Sequence, residues 1–239
     1  RQMCIRDSDI IEIPSHPFSQ GMDVGDIDDD GDDDIVLATM TPDGGQTYVE
    51  VFKGPDPGPQ ADQTILVPAP TYGHYSYIEL GQWGEDLAQD PITGQTLPGE
   101  CEDLDLWVLR TPRFNPGAGY SVGNYDNMTV LEFDCVTGLY ADPNVGGSAA
   151  AAVHDFTLDA EHGYELEIDV EDTDGDGIVD MVAAVDGIEG RISYATRSSV
   201  GSNWDTRNYI NLGNYKGASI TISDVNGDGK MDFLSLIHI

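Results

Sequence analysis

Three segments of this 239-residue chain align without gaps: DIDDDGDDDIVL from Asp26, DTDGDGIVDMVA from Asp172 and DVNGDGKMDFLS from Asp224. Each carries Asp at its first position, Asp or Asn at the third, Asp-Gly at the fifth and sixth, Asp at the ninth, and then an apolar run. Repetition constrains the fold more than any single residue does, because a repeated unit buries its apolar face only by stacking on its neighbours. The flanks repeat as well. Met22 and Val24, then Leu166, Ile168 and Val170, then Ile220 and Ile222 alternate ahead of the three loops, which is the period of a strand with one buried face. After the first two loops, DIVLATM, PDGG, QTYVEVF and DMVAAVD, GIEG, RISYATR read as hairpins.

A degenerate unit over 75–134 lies between the first and second loops. YSYIEL from Tyr75, DLWVLRT from Asp105 and NMTVLEFD from Asn127 reproduce its strands, and an insertion from about Gly81 to Asp103 replaces its loop. That insertion keeps Glu85, Asp86, Glu100, Glu102 and Asp103 but not the spacing, so no ion site is expected there. The aspartates that open the strands after each loop, Asp34, Asp105, Asp180 and Asp232, stand 71, 75 and 52 residues apart. Four strands in about 40–50 residues is the size of a propeller blade, and complete propellers have roughly 4–8 blades. The predicted fold is therefore all-β: about three β-propeller blades and part of a fourth, an incomplete propeller. Residues 1–8 (RQMCIRDS) and 234–239 resemble translated sequencing adapter of the kind found at the ends of metagenomic gene predictions. They are set aside as non-native termini, leaving 9–233 as the repeat region.

Forty-four acidic against ten basic residues give a formal charge of -34. Such a charge excludes nucleic-acid binding through phosphate contacts and repels itself in a compact state unless cations or salt offset it. No stretch has the ~18 apolar residues of a membrane helix, so no membrane insertion is expected. With Cys4 in the discounted terminus, Cys101 and Cys135 remain as one candidate disulfide, the alternative being two free thiols.

Calcium takes about 6–8 oxygen ligands from carboxylates, carbonyls and water. A tight loop with acidic side chains at alternate positions turns several carboxylates toward one point, and glycine at the sixth position permits the sharp turn. On that logic the loop over 26–34 offers Asp26, Asp28, Asp30 and Asp34 with the carbonyl of Asp32. The loop over 172–180 offers Asp172, Asp174, Asp176 and Asp180 with the carbonyl of Ile178. The loop over 224–232 offers Asp224, Asn226, Asp228 and Asp232 with the carbonyl of Lys230. About three calcium ions are expected, held most weakly by the third loop, which has one carboxylate fewer and a lysine. These residues resemble the FG-GAP/VCBS repeat family, known from integrin α-subunit propellers and bacterial secreted proteins. The resemblance is tight at the three loops and loose between them. It implies a secreted or cell-surface calcium-binding module that serves adhesion, recognition of a protein or polysaccharide, or scaffolding.

Other chemistry is weaker. Gly119-Tyr120-Ser121-Val122-Gly123 matches a nucleophile elbow, but Asn115-Pro116-Gly117 precedes it and a strand follows, so it reads as a hairpin tip. His74, His154 and His162 show no ligand spacing. Trp83 and Trp204 are candidates for stacking on a sugar, whereas Trp107 is expected in the core. The expected function is non-catalytic. The alternative is an accessory propeller of a larger secreted hydrolase or lyase.

Overall fold

The computed structural model describes residues 18–41, 46–54, 60–67, 74–83, 104–112, 127–134, 137–144, 153–158, 165–186, 190–198, 203–213 and 216–238. Among them the secondary structure is all β and antiparallel. In the first sheet, β1 (Phe18–Gly25), β2 (Asp34–Met40), β3 (Thr47–Phe52) and β4 (Gln63–Val67) lie side by side in chain order. The second begins with β5 (His74–Leu80), β6 (Leu106–Pro112) and β7 (Asn127–Leu131). A small hairpin of β8 (Phe133–Asp134) and β9 (Leu139–Tyr140) follows, and β10 (Val153–Thr157) then completes the sheet beside β7. The third is β11 (Glu165–Glu171), β12 (Met181–Asp186), β13 (Arg191–Thr196) and β14 (Asp205–Asn211), and β15 (Lys216–Ser223) pairs with β16 (Asp232–His238). β16 thus takes in residues of the segment 234–239 that sequence reasoning had set aside.

The expected hairpins β2–β3 and β12–β13 form, and all three acidic loops connect the first strand of a sheet to its second. The first strands pack on one another in chain order, β5 against both β1 and β11, and β15 against β11. Between successive sheets lies an apolar cluster. Val36, Ala38, Val49, Val51 and Ile65 of the first sheet meet Ile78, Leu106, Val108 and Leu131 of the second. Trp107, Leu109, Met128 and Val130 meet Ile168, Val170, Val182 and Ala184 of the third. Ala183, Val185 and Ile192 meet Ile220 and Ile222. Burying each such side chain stabilises by about 1.5–3 kcal/mol, which is why a sheet with alternating residues on both faces needs a neighbour on each side.

The third sheet departs from the sequence alignment. Gly25 pairs with Asp34 and Ser223 with Asp232, but Glu171 pairs with Met181, one residue past Asp180. A one-residue slip reverses which side chains face which neighbour. Val182 and Ala184 accordingly face the second sheet, although their alignment counterparts Val36 and Ala38 face the sheet that follows. The cause lies at Val179. Its counterpart Asp33 is exposed, whereas Val179 is buried among second-sheet residues and its N–H donates to the Gln82 carbonyl at 2.8 Å.

Candidate metal centre

In each loop the first aspartate gathers the turn around itself. Asp26 accepts N–H bonds from Asp30 at 3.0 Å and Gly31 at 2.9 Å. Asp172 accepts from Gly175 at 2.7 Å and Gly177 at 2.6 Å, and Asp224 from Gly227 at 2.7 Å and Gly229 at 2.8 Å. The fifth residue repeats the device, with Asp30, Asp176 and Asp228 accepting from the N–H of Asp32, Ile178 and Lys230. The sixth-position glycines sit at φ of 90°, 94° and 79°, a region in which a Cβ is strained. The fourth position is also left-handed, at Gly175, Gly227 and Asp29, and Asp29 is the one described non-glycine residue with positive φ.

One carboxylate oxygen each from Asp172, Asp174, Asp176 and Asp180 lie within 4.8 Å of one another. Asp26, Asp28 and Asp34 form a second such group, from which Asp30 is absent. The acidic side chains of the third loop, Asp224, Asp228 and Asp232, do not converge in this way among the described residues; Asn226 stands where the other loops have a fourth carboxylate. Asp32 and Lys230 expose their side chains, and Ile178 is buried.

The electrostatics differ between the closing and opening positions. Burial, opposed by N–H bonds from Gly54 and Ile27 and reinforced by Asp28 and Asp30, pushes the Asp34 carboxyl up from its usual range. Burial and then the charge of Asp174 do the same to Asp180. Asp224 is held below the usual range by backbone N–H bonds, that of Gly229 foremost. An all-oxygen donor set of three or four carboxylates fits a hard divalent cation of calcium's size. The Oδ1 of Asp28 bears on this fit directly: it is buried and has no hydrogen-bond partner among the described residues, an arrangement that a bound cation would relieve.

Two residues beyond the loops enter the first site. The Lys53 ammonium lies 2.9 Å from Asp28 Oδ2 and 5.0 Å from the centre of the Phe133 ring. The Gly54 N–H donates to Asp34 Oδ1 at 2.7 Å, and a Cβ there would stand 2.7 Å from the Asp33 carbonyl oxygen. Asp34 Oδ2 meanwhile accepts from Ile27 at 3.1 Å, so one carboxylate ties the start of the loop to the end of β3. Asp105 repeats this tie in the degenerate unit, accepting from Trp83 at 2.6 Å and Phe133 at 3.0 Å. The insertion's own acidic residues, Cys4, Cys101, Cys135 and Gly119–Gly123 lie outside the described residues.

Trp83 and Trp204 do not form an open platform. Trp83 stacks on His154 at 4.6 Å and on Trp204 at 5.9 Å, and both pack beside the fully buried Trp107. The Arg197 guanidinium stands 4.9 Å from one ring and 5.0 Å from the other. Their faces are spent on the junction between the second and third sheets.

Three residues before the loops, Asp23 and Asp169 each accept an N–H from the next sheet, from Leu80 at 2.9 Å and Ile222 at 2.5 Å. Glu79 holds the matching place in β5. Burial, a hydrogen bond to Asp23, and the charges of Asp23, Asp169 and Glu167 push its carboxyl up to about 9.

Comparison with family models matches residues 172–235 to the FG-GAP-like repeat. No curated protein matches the chain. The matched span runs from the second acidic loop through β12–β15 and the third loop into β16. Residues 172–235 are therefore similar to an FG-GAP-like repeat.

Proposed function

We propose that the chain is a calcium-binding, non-catalytic extracellular module of propeller type, whose sheets act as blades and whose loops hold structural calcium. One observation carries the reading: four carboxylates of one loop converge within 4.8 Å, on a turn whose backbone N–H groups already hold the first aspartate in place. Asp26, Asp28, Asp30 and Asp34, then Asp172, Asp174, Asp176 and Asp180, then Asp224, Asn226, Asp228 and Asp232 supply the side chains. The carbonyls of Asp32, Ile178 and Lys230 complete the three shells. The ions offset carboxylate repulsion and pin the first strand of each sheet to its second. The surfaces between loops are then left to recognise an extracellular protein or polysaccharide, or to space other domains.

Calorimetric titration of the full chain with calcium, paired with thermal melts in calcium and in EDTA, tests this. About three ions and a clear rise in melting temperature are expected; at a tenfold excess over the dissociation constant each site contributes about 1.4 kcal/mol. Absence of binding, or melts that coincide, would leave the loops as an acidic surface and remove the reading.

A further inference from the structure

An asparagine loses its side-chain amide readily when the next residue is glycine, because the following backbone nitrogen must reach the amide carbon and a bulky neighbour blocks its approach. The chain has nine asparagines. Eight precede proline, valine, leucine, methionine or an aromatic residue, and Asn226 alone precedes glycine. Asn226 is exposed, at the third position of the third loop. Gly227 sits at φ of 74°, where a side chain would be strained, so the turn that favours glycine brings the reactive pair with it. The neighbours are placed for the reaction. The Gly227 N–H donates to Asp224 Oδ1 at 2.7 Å, so a carboxylate already holds the proton that this nitrogen must lose. Asn226 Oδ1 accepts from the Asp228 N–H at 2.8 Å, which puts a donor on the oxygen that gains charge as the nitrogen adds. An aspartate also fits here. Asp174 holds the same position in the second loop, and its Oδ1 accepts from the Asp176 N–H at 3.2 Å in the same way.

We infer that Asn226 is a site of spontaneous deamidation, which takes the third loop from three carboxylates to the four that converge in the second. The Gly227 nitrogen bonds to the Asn226 side-chain carbon and gives up its proton. Ammonia leaves with the amide nitrogen and that proton, and a cyclic imide remains. Water then opens the imide. Addition at the side-chain carbonyl gives aspartate; addition at the backbone carbonyl gives isoaspartate, which lengthens the main chain by one carbon and spoils the loop. Neither step runs backward in water, so the change is one-way. The gain of a calcium ligand rests on the reading of the loops as calcium sites, whereas the deamidation itself does not.

To test this, the full chain is held in EDTA in mildly alkaline buffer, digested at intervals and weighed by mass spectrometry, with a synthetic peptide of residues 220–232 beside it. The fragment spanning Asn226 is expected to gain the mass difference between amide and acid, faster as pH rises, while the other asparagines stay intact. An Asn226→Gln chain is expected to show no such gain, since glutamine closes its larger imide far more slowly. An Asn226 that remains an amide after the synthetic peptide has converted, or other asparagines that convert as fast, would overturn the inference. Calorimetric calcium titration of an Asn226→Asp chain reads the consequence: the third loop is expected to bind several-fold more tightly and the other two as before. An unchanged third site would overturn the ligand gain. Calcium binding at none of the loops would instead overturn the calcium reading and leave the mass gain standing.

Discussion

At the scale of single residues, the first loop differs from the second in carrying its own cation. Lys53 lies against Asp28, one of the carboxylates proposed for calcium, and must give up that contact or share it when an ion enters. Lys53→Met is expected to strengthen calcium binding at the first loop several-fold and leave the other two unchanged, which resolved calorimetric isotherms would show. The ligand positions themselves were legible, because calcium-loop spacing is a local pattern. Lys53 and Gly54 were not: they come from the far end of β3, and nothing in their own neighbourhood marks them. Glu79 makes a second residue-scale case. Its folded carboxyl is raised to about 9 by burial and by Asp23, so the folded state holds a proton that the unfolded chain releases near 4.5. That contribution to stability is complete below the unfolded value and is lost as pH rises through the folded one. Glu79→Gln is accordingly expected to raise the melting temperature by a few degrees at pH 8, with the gain vanishing near pH 4. A gain that grew toward acid would contradict the assignment.

At the scale of elements, the first strands could be read from alternation, and the second and third from short apolar runs bounded by turn residues. The fourth strands, QTILV, VHDFT and DTRNYIN, were missed because their polar residues break the period. The slip in the third sheet was also hidden, since it follows from the burial of Val179 against another sheet. Trp83 and Trp204 looked exposed for the same reason: they stack on each other from distant parts of the chain, and Trp83 also meets His154 and Arg197. Asp105 shows what alignment did reveal. It keeps the ninth position where the rest of the acidic pattern is gone, and its two N–H bonds explain why. Asp105→Ala is expected to destabilise the chain by about 2–4 kcal/mol in denaturant unfolding, since it strands two backbone donors. Calcium stoichiometry should not change; a lost ion would mean that the unit binds one after all.

At the scale of the whole molecule, charge dominates. Thirty-four net negative charges on a chain of sheets held by narrow clusters make the folded state sensitive to its counter-ions. In EDTA, raising the sodium chloride concentration is expected to raise the melting temperature by several degrees, and with calcium present the increment should shrink; equal increments would show that the loops do not carry the burden. The tie made by Asp34 and repeated by Asp105 has a consequence of another kind. It closes the stem from which the loop springs, so the two ends of the loop stay tied when the sequence between them changes. In the degenerate unit that stem carries a long insertion between Trp83 and Leu104 in place of nine acidic-rich residues. The same stem is thus a socket: foreign sequence spliced between these two residues should be displayed on an undisturbed sheet, and a lineage could exchange ion binding for a new recognition surface one unit at a time.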